Sequence, residues 1–342
     1  MTTRRVYVDE SEPTGGDEPP FEQRYVTIKK SKWVTDEYDI VNNLLGRGKF
    51  GEVKLCKEKH SGRQLAAKFV EVSGPQERKD MSNEVEMMKS LQHPRLLQLY
   101  DAFENRTSFC IVTELVSGGE LFERVISEDY VLTEKASVMF MRQICDGVSF
   151  MHSRNILHLD MKPENILCLS RTGNRIKIID FGLARKFNPK GELKVLFGTP
   201  EFMAPEVVNF DPVTPATDMW SIGVICYILV SGLSPFLGNT EPETLCNITT
   251  AKWDFNAEEF ESISNDAKDF LSKLLVKDPK WRMSCTECLE HKWLRIHVQR
   301  PTKAVQRTLS TKRLRKFVYR RKWQRAVNAM LALKRMGVEL MR

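Results

Sequence analysis

The chain has 342 residues, 42% of them hydrophobic and 28% charged, with a formal net charge of +7. This balance fits a globular chain of about two folding units and excludes a disordered polymer. No apolar run approaches the roughly 20 residues a membrane-spanning helix needs, and Met1-Thr2-Thr3-Arg4-Arg5 leads into no secretory h-region. A cytoplasmic chain with free thiols at its eight cysteines is therefore expected.

Residues 1–34, with Gly15-Gly16, Pro19-Pro20 and mixed charges, read as a flexible leader. From Tyr38 short β-branched and apolar segments predict strands over 38–45, 52–57 and 64–70, a helix over about 76–91, and strands near 96–103 and 109–114. Helical periodicity follows over 120–127, 133–153 and 217–232, the last with Trp220, Ile222, Val224, Ile225, Ile228 and Leu229 as a buried set. The expected fold is α+β and bilobal. A small β-rich lobe (35–114) is linked near 115–119 to a larger helical lobe (118–296), and a tail covers 297–342. Cys285 and Cys288 form a lone CxxC without a second pair, so they read as half-buried helix cysteines rather than a zinc site.

Charge is divided unevenly along the chain. Residues 300–342 carry 14 Lys/Arg against a single acid, Glu339, whereas residues 1–299 carry 38 basic and 44 acidic groups. An acidic body joined to a basic tail predicts attraction between the two.

The chemistry begins at Gly46-Arg47-Gly48-Lys49-Phe50-Gly51-Glu52-Val53, a GxGxxGxV hairpin between predicted strands. Its glycines let backbone N–H groups close over phosphates, and the strand that follows argues against a dinucleotide-binding turn, which opens a helix. Lys68, after Ala66-Ala67, puts one ammonium within reach of phosphate oxygens, and Glu84, 16 residues on, is its natural partner. The decisive run is His158-Leu159-Asp160-Met161-Lys162-Pro163-Glu164-Asn165 followed by Asp180-Phe181-Gly182. Phosphoryl transfer requires a positioned hydroxyl and neutralised phosphate charge. Asp160 can accept the hydroxyl proton and Lys162 can steady the moving phosphate. Asn165 and Asp180 offer the hard oxygens that Mg²⁺ prefers. Gly198-Thr199-Pro200-Glu201-Phe202, Ala204-Pro205-Glu206, Asp218-Met219-Trp220 and Arg282 complete the ordered set.

Residues 38–296 thus resemble a eukaryotic protein kinase catalytic domain throughout. The resemblance implies ATP between the lobes, with backbone groups of Glu114 and Val116 facing the adenine. It also implies that Leu45, Val53, Ala66 and Leu167 sandwich the ring, that Thr113 is the gatekeeper, and that Arg282 pairs with Glu206. Two features depart from many kinases. Leu159 stands where an Arg often binds a loop phosphate, and no Ser, Thr or Tyr occurs from Leu183 to Gly198. Thr199 is expected to be structural, beside Asp160. Activity independent of loop phosphorylation follows, with control placed elsewhere.

The tail is the candidate. Trp323, Val327, Met330 and Met336 stand among Arg320, Arg321, Lys322 and Arg325, a spacing suited to calmodulin, whose acidic, Met-rich lobes clamp opposite ends of a basic helix. A membrane-surface helix and a nucleic-acid arm are the competing readings. At 100° per residue Met330 falls about 20° from Trp323 and Met336 about 140° away, which suits a wrapping partner better than a flat membrane. Val116-Ser117-Gly118-Gly119-Glu120-Leu121-Phe122-Glu123-Arg124, Phe197 to Phe202, Asp218 to Pro235 and Arg320-Arg321-Lys322-Trp323-Gln324 resemble the myosin light chain kinase group. That resemblance implies a calcium/calmodulin-activated Ser/Thr kinase acting on myosin regulatory light chain in a cytoskeletal or myofilament setting. Glu120 and Glu164 would receive substrate Arg or Lys, a helix-start carboxylate or a ribose contact being the other readings of either, and the basic groups of about 297–322 would occupy that groove at rest. A related calmodulin-regulated kinase with another substrate, or an idle calmodulin-binding scaffold, are the alternatives. No nucleic-acid partner is expected.

Overall fold

The computed structural model describes residues 20–22, 24–48, 51–299 and 308–335. Six strands form one sheet: β1 (Ile28–Lys29), β2 (Tyr38–Gly48), β3 (Gly51–Glu58), β4 (Gln64–Glu71), β5 (Leu99–Glu104) and β6 (Ser108–Thr113), in the order β1-β5-β6-β4-β3-β2. All pairings are antiparallel except β1 with β5. Strand periodicity of two gives the sheet two apolar faces. Cys110 and Val112 face outward with Leu65, Ala67, Tyr100 and Phe103. Phe109 and Ile111 face inward, where Met81, Val85 and Met88 of helix α2 (Pro75–Ser90) pack beside them. The first turn of α2 is capped by Glu77 Oε2, which accepts from the N–H groups of Ser73 (2.5 Å) and Gly74 (3.2 Å).

The expected leader needs correction. Residues 20–34 include β1, and Phe21 and Val26 are buried ahead of the short helix α1 (Val34–Glu37), whose Val34 is buried as well. Phe21 meets Tyr100 edge-on at 4.8 Å, and Lys29 bridges Glu37 (2.7 Å) and Asp101 (2.6 Å). A two-residue strand is too short to register as periodicity, so its neighbours' Gly, Pro and charge dominated the sequence signal. Residues 1–19 lie outside the described residues.

The second lobe contains α3 (Leu121–Val125), α4 (Glu134–Ser153), β7 (Ile156–Leu157), β8 (Ile166–Cys168), β9 (Ile176–Ile178), β10 (Arg185–Lys186), α5 (Pro205–Val208), α6 (Pro215–Ser231), α7 (Glu241–Thr250), α8 (Asn265–Leu274), α9 (Cys285–Glu290) and α10 (Lys292–Gln299). Thr133 caps α4, its hydroxyl accepting from Ala136 N at 3.0 Å. Helix α6 is apolar all round and is buried from Thr217 to Ser231, as a central helix must be. Arg282, fully buried, grips both oxygens of Glu206 (2.8 and 3.1 Å) and the Ala216 carbonyl (2.6 Å). Cys285 and Cys288 are wholly buried rather than half-buried, and no metal-binding group of three or more His, Cys, Asp or Glu occurs among the described residues.

A last helix, α11 (Lys312–Arg335), lies against the large lobe. Leu309, Leu314, Phe317 and Val318 join the lobe's apolar core, and Phe317 stands 6.3 Å from Phe122. Gly232, which ends α6 with φ +72°, makes this seat possible: a Cβ there would lie 2.4 Å from the backbone nitrogen of Leu314.

Candidate active site

The Gly46–Val53 hairpin is present, with Gly46 paired to Val53 and Gly48 to Gly51 across β2 and β3. Only glycine fits at 51, where φ is +135° and a Cβ would collide with the Phe69 carbonyl. Lys49 and Phe50 lie outside the described residues. On β4, Lys68 Nζ reaches Glu84 Oε1 of α2 at 2.7 Å. Burial would lower the ammonium's pKa, but the carboxylates of Glu84 and Asp180 outweigh it and hold the lysine charged.

The loop after α4 is shaped by backbone strain and one buried carboxylate. Leu159 (φ +62°) and Asp180 (φ +66°) both sit in the left-handed region, which costs a non-glycine residue about 1–3 kcal/mol and therefore needs support. Asp218, at the start of α6, supplies that support at Leu159. Its two oxygens accept from the N–H groups of His158 (3.0 Å) and Leu159 (2.8 Å), while the His152 ring stands 2.8 Å away. Burial would raise the Asp218 carboxyl, yet His152 and these N–H groups hold it below its ordinary value.

That loop brings the expected residues together. Asp160 contacts Lys162 Nζ and accepts from Thr199 Oγ1 at 3.1 Å, so Thr199 is a positioning group. Asn165 Nδ2 donates to the Asp160 carbonyl at 2.8 Å, which leaves its amide oxygen as the candidate metal donor. Ile179 N donates to the Asn165 carbonyl at 2.9 Å, tying the segment before Asp180 to Asn165. One carboxylate and one amide oxygen, completed by phosphate oxygens and water, match how Mg²⁺ is held in phosphoryl-transfer sites. Glu84 Oε2, buried near them and without a hydrogen-bond partner, leaves further negative potential for the cations of such a site.

Toward the hinge, Thr113 ends β6 opposite Ala66, and Leu167 lies on β8 below. Ala66 is buried, Val53, Val116 and Leu167 are half-buried, and Leu45 is exposed. The Glu114 side chain turns inward to Lys177, at 2.8 Å.

The residues expected to receive substrate cations are occupied by the tail. Arg325 pairs with Glu120 (2.8 and 3.4 Å), Arg321 with Glu164 (2.5 Å), and Lys322 with Glu123 (2.7 Å). Glu201 takes both Arg320 (2.9 Å) and Arg321 (3.0 Å). In the sequence Glu123 and Glu201 stand out only as members of motif runs; a shared acidic face around 120–123, 164 and 201 is the signal that points to them. Of the groove-filling groups, Arg320, Arg321 and Lys322 fall at the end of the expected 297–322, and Arg325 lies just beyond it. Leu309, Leu314, Phe317 and Val318 serve as the apolar seat, Arg313 pairs with Glu259 beside it, and the contacts to the groove carboxylates come from 320–325. Trp323 and Met330 are exposed and Val327 is half-buried, while Met336 lies outside the described residues.

Comparison with known proteins follows the same geometry. The family model of the protein kinase domain matches residues 40–294. The chain is 51% identical over 323 residues to smooth muscle myosin light chain kinase of Gallus gallus, covering 94% of this chain and 17% of that protein. It is 50% identical over 318 residues to myosin light chain kinase 3 of Homo sapiens (93% and 39%) and 52% over 279 residues to the human myosin light chain kinase family member 4 (81% and 72%). It therefore spans less than half the length of the first two of these relatives. Among solved structures, a C. elegans twitchin kinase fragment with autoregulated kinase and immunoglobulin domains superposes with a TM-score of 0.83 at 41% identity, over 89% of this chain and 67% of that one. The autoinhibited serine kinase domain of titin gives 0.78 at 38%, over 84% and 88%.

Proposed function

We propose, from the premise that this chain belongs to the protein kinase family and within it to the myosin light chain kinase group, that it is a calcium/calmodulin-activated kinase. Its proposed reaction moves the γ-phosphate of ATP to a Ser or Thr of myosin regulatory light chain. Asp160 orients the attacking hydroxyl and accepts its proton, while Lys162 and Lys68 hold phosphate oxygens. Magnesium at Asn165 and Asp180 neutralises phosphate charge when bound. Glu84 keeps Lys68 extended toward the nucleotide.

The observation that carries the regulatory part is the set of ion pairs between α11 and Glu120, Glu164 and Glu201. A substrate whose target hydroxyl is preceded by basic residues would need the same carboxylates, so a docked tail and a docked light chain compete. The Lys68–Glu84 pair is closed in the same structure, so the tail acts on substrate access rather than on the phosphate-binding groups. Calmodulin, wrapping Trp323 and the residues beyond it, would withdraw Arg320, Arg321 and Arg325 together.

The test is phosphate transfer from Mg-ATP to myosin regulatory light chain with and without calcium-loaded calmodulin, on the whole chain and on one ending at residue 299. Calmodulin-dependent transfer by the former and constitutive transfer by the latter are expected. A silent shortened chain would sink the tail model. Activity on a generic basic peptide but not on light chain would favour a related kinase with another substrate, as the likeness to twitchin and titin kinases allows.

A further inference from the structure

Glu114 and Lys177 form an ion pair whose oxygen and nitrogen stand 2.8 Å apart, both side chains 4% exposed. Two charges removed from water to this extent recover little net stability, and an apolar pair of similar volume would hold a core as well. The placement of the pair gives it another use. Glu114 follows the end of β6, at the hinge between the lobes. Lys177 lies on β9 directly opposite Leu167 of β8, three residues before Asp180. The lysine thus stands where the hinge, the floor of the adenine site and the segment leading to the metal-binding carboxylate converge.

The pair is wired to its surroundings by hydrogen bonds. Glu114 Oε1 also accepts from Gln98 N at 2.8 Å, and Glu114 N donates to Gln98 O at 3.0 Å, so backbone and side chain are tied to the same residue. Gln98 in turn staples the turn after α2, its amide donating to the carbonyls of Leu91 (3.2 Å), His93 (3.0 Å) and Leu96 (2.7 Å). Lys177 Nζ donates to Leu96 O at 3.3 Å.

We propose that Lys177 is a positioning residue for the purine end of the nucleotide: by holding the Glu114 carboxylate it fixes the height of the 114–116 backbone above Leu167. This rests on the kinase reading given above. Lys177 touches no reacting atom; it acts through Glu114. Burial pushes the Glu114 carboxyl up, and the lysine works against that shift. Without Lys177 the buried carboxylate has lost its counter-cation and takes up a proton more readily, so hinge geometry becomes dependent on pH. The charged groups that face the same region include Arg95 and His93 from the turn after α2, with Asp146 of α4 3.7 Å from the His93 ring.

The test measures calorimetric binding of adenosine and of ADP to the full chain and to Lys177→Met, Lys177→Arg and Lys177→Met/Glu114→Gln, from pH 6 to 8.5. Lys177→Met is expected to lose on the order of tenfold or more in affinity for both ligands, because the loss resides at the purine end. Its affinity should fall further as pH rises and Glu114 ionises. Restoration of a pH-independent affinity by the double variant, and partial rescue by Lys177→Arg, complete the expectation. A Lys177→Met chain that folds and binds adenosine as the parent does, at every pH, overturns the proposal. Equal loss in Lys177→Met and the double variant, without pH dependence, overturns it too, since that pattern belongs to packing alone. Failure of the parent chain to bind ADP at all would instead sink the kinase reading.

Discussion

Arg321 Nε stands 2.5 Å from Glu164 Oε1, so a tail residue holds the carboxylate two positions beyond Lys162 in the loop that carries Asp160. The same guanidinium reaches Glu201 at 3.0 Å and lies 5.0 Å over the Phe202 ring. One side chain therefore engages both sides of the groove, and the pairing is mostly shielded from solvent, at 12% and 11% exposure.

The double substitution Arg320→Ala/Arg321→Ala removes these contacts. Charged hydrogen bonds contribute about 1.5–3 kcal/mol each when shielded, and the more exposed Arg320 counts for less. A loss of about 2 kcal/mol would raise the undocked fraction roughly thirtyfold. Light-chain phosphorylation without calmodulin should rise accordingly and approach the rate of the chain ending at residue 299. An unchanged basal rate would show that the apolar seat alone holds the helix.

Gly232→Ala separates the seat from the charges. The new methyl would meet the backbone of Leu314 and Arg313, so α11 must shift. Basal activity of the whole chain should increase. In the shortened chain the same change should cost only the left-handed strain, about 1 kcal/mol, with no effect on rate. Denaturant unfolding of both chains, alongside rate measurements, checks this; equal rates in the whole chain before and after substitution would count against the seat.

Acid should act on docking through Glu164. For Glu164, burial pushes the carboxyl up, but Arg321 prevails and the docked value is depressed. Its contribution is present above the ordinary carboxylate range near about 4.3 and is lost as pH falls through the docked value. For Glu120, burial pushes the carboxyl up and prevails, while the docked Arg325 favours its ionised form. Binding of a peptide of residues 308–335 to the shortened chain should therefore weaken as pH falls from 7 to 4. For Glu164→Gln the acid weakening should be smaller than for the parent. Identical profiles for the two would refute the assignment.

Arg282→Ala leaves Glu206 buried and without its cation. Removing one partner of a buried pair costs about 3–5 kcal/mol, so the large lobe should unfold at markedly lower denaturant. Arg282→Lys should recover little, because an ammonium cannot satisfy both Glu206 oxygens and the Ala216 carbonyl with the same planar fork. Circular dichroism during urea unfolding measures both.

Local order in the chain was enough to place most of what the sequence predicts. The strand and helix segments from Tyr38 to Ser231 follow from periodicity, and Lys68, Glu84, Asp160, Asn165 and Asp180 announce themselves by type and spacing, because phosphate and magnesium chemistry demands those groups in that order. Likewise, the opposite charges of body and tail are a property of composition. Other features exist only through long-range packing. Lys177 is an unremarked residue of a three-residue strand until β9 brings it against Glu114. Gly232 is an ordinary helix terminator until Leu314 arrives, 82 residues later, at the point where a side chain would stand. The register of the tail, which decides that Arg321 rather than an earlier cation meets Glu164, is set by where Leu314, Phe317 and Val318 bury their surface, and shape complementarity between distant segments leaves no pattern in a sequence read locally.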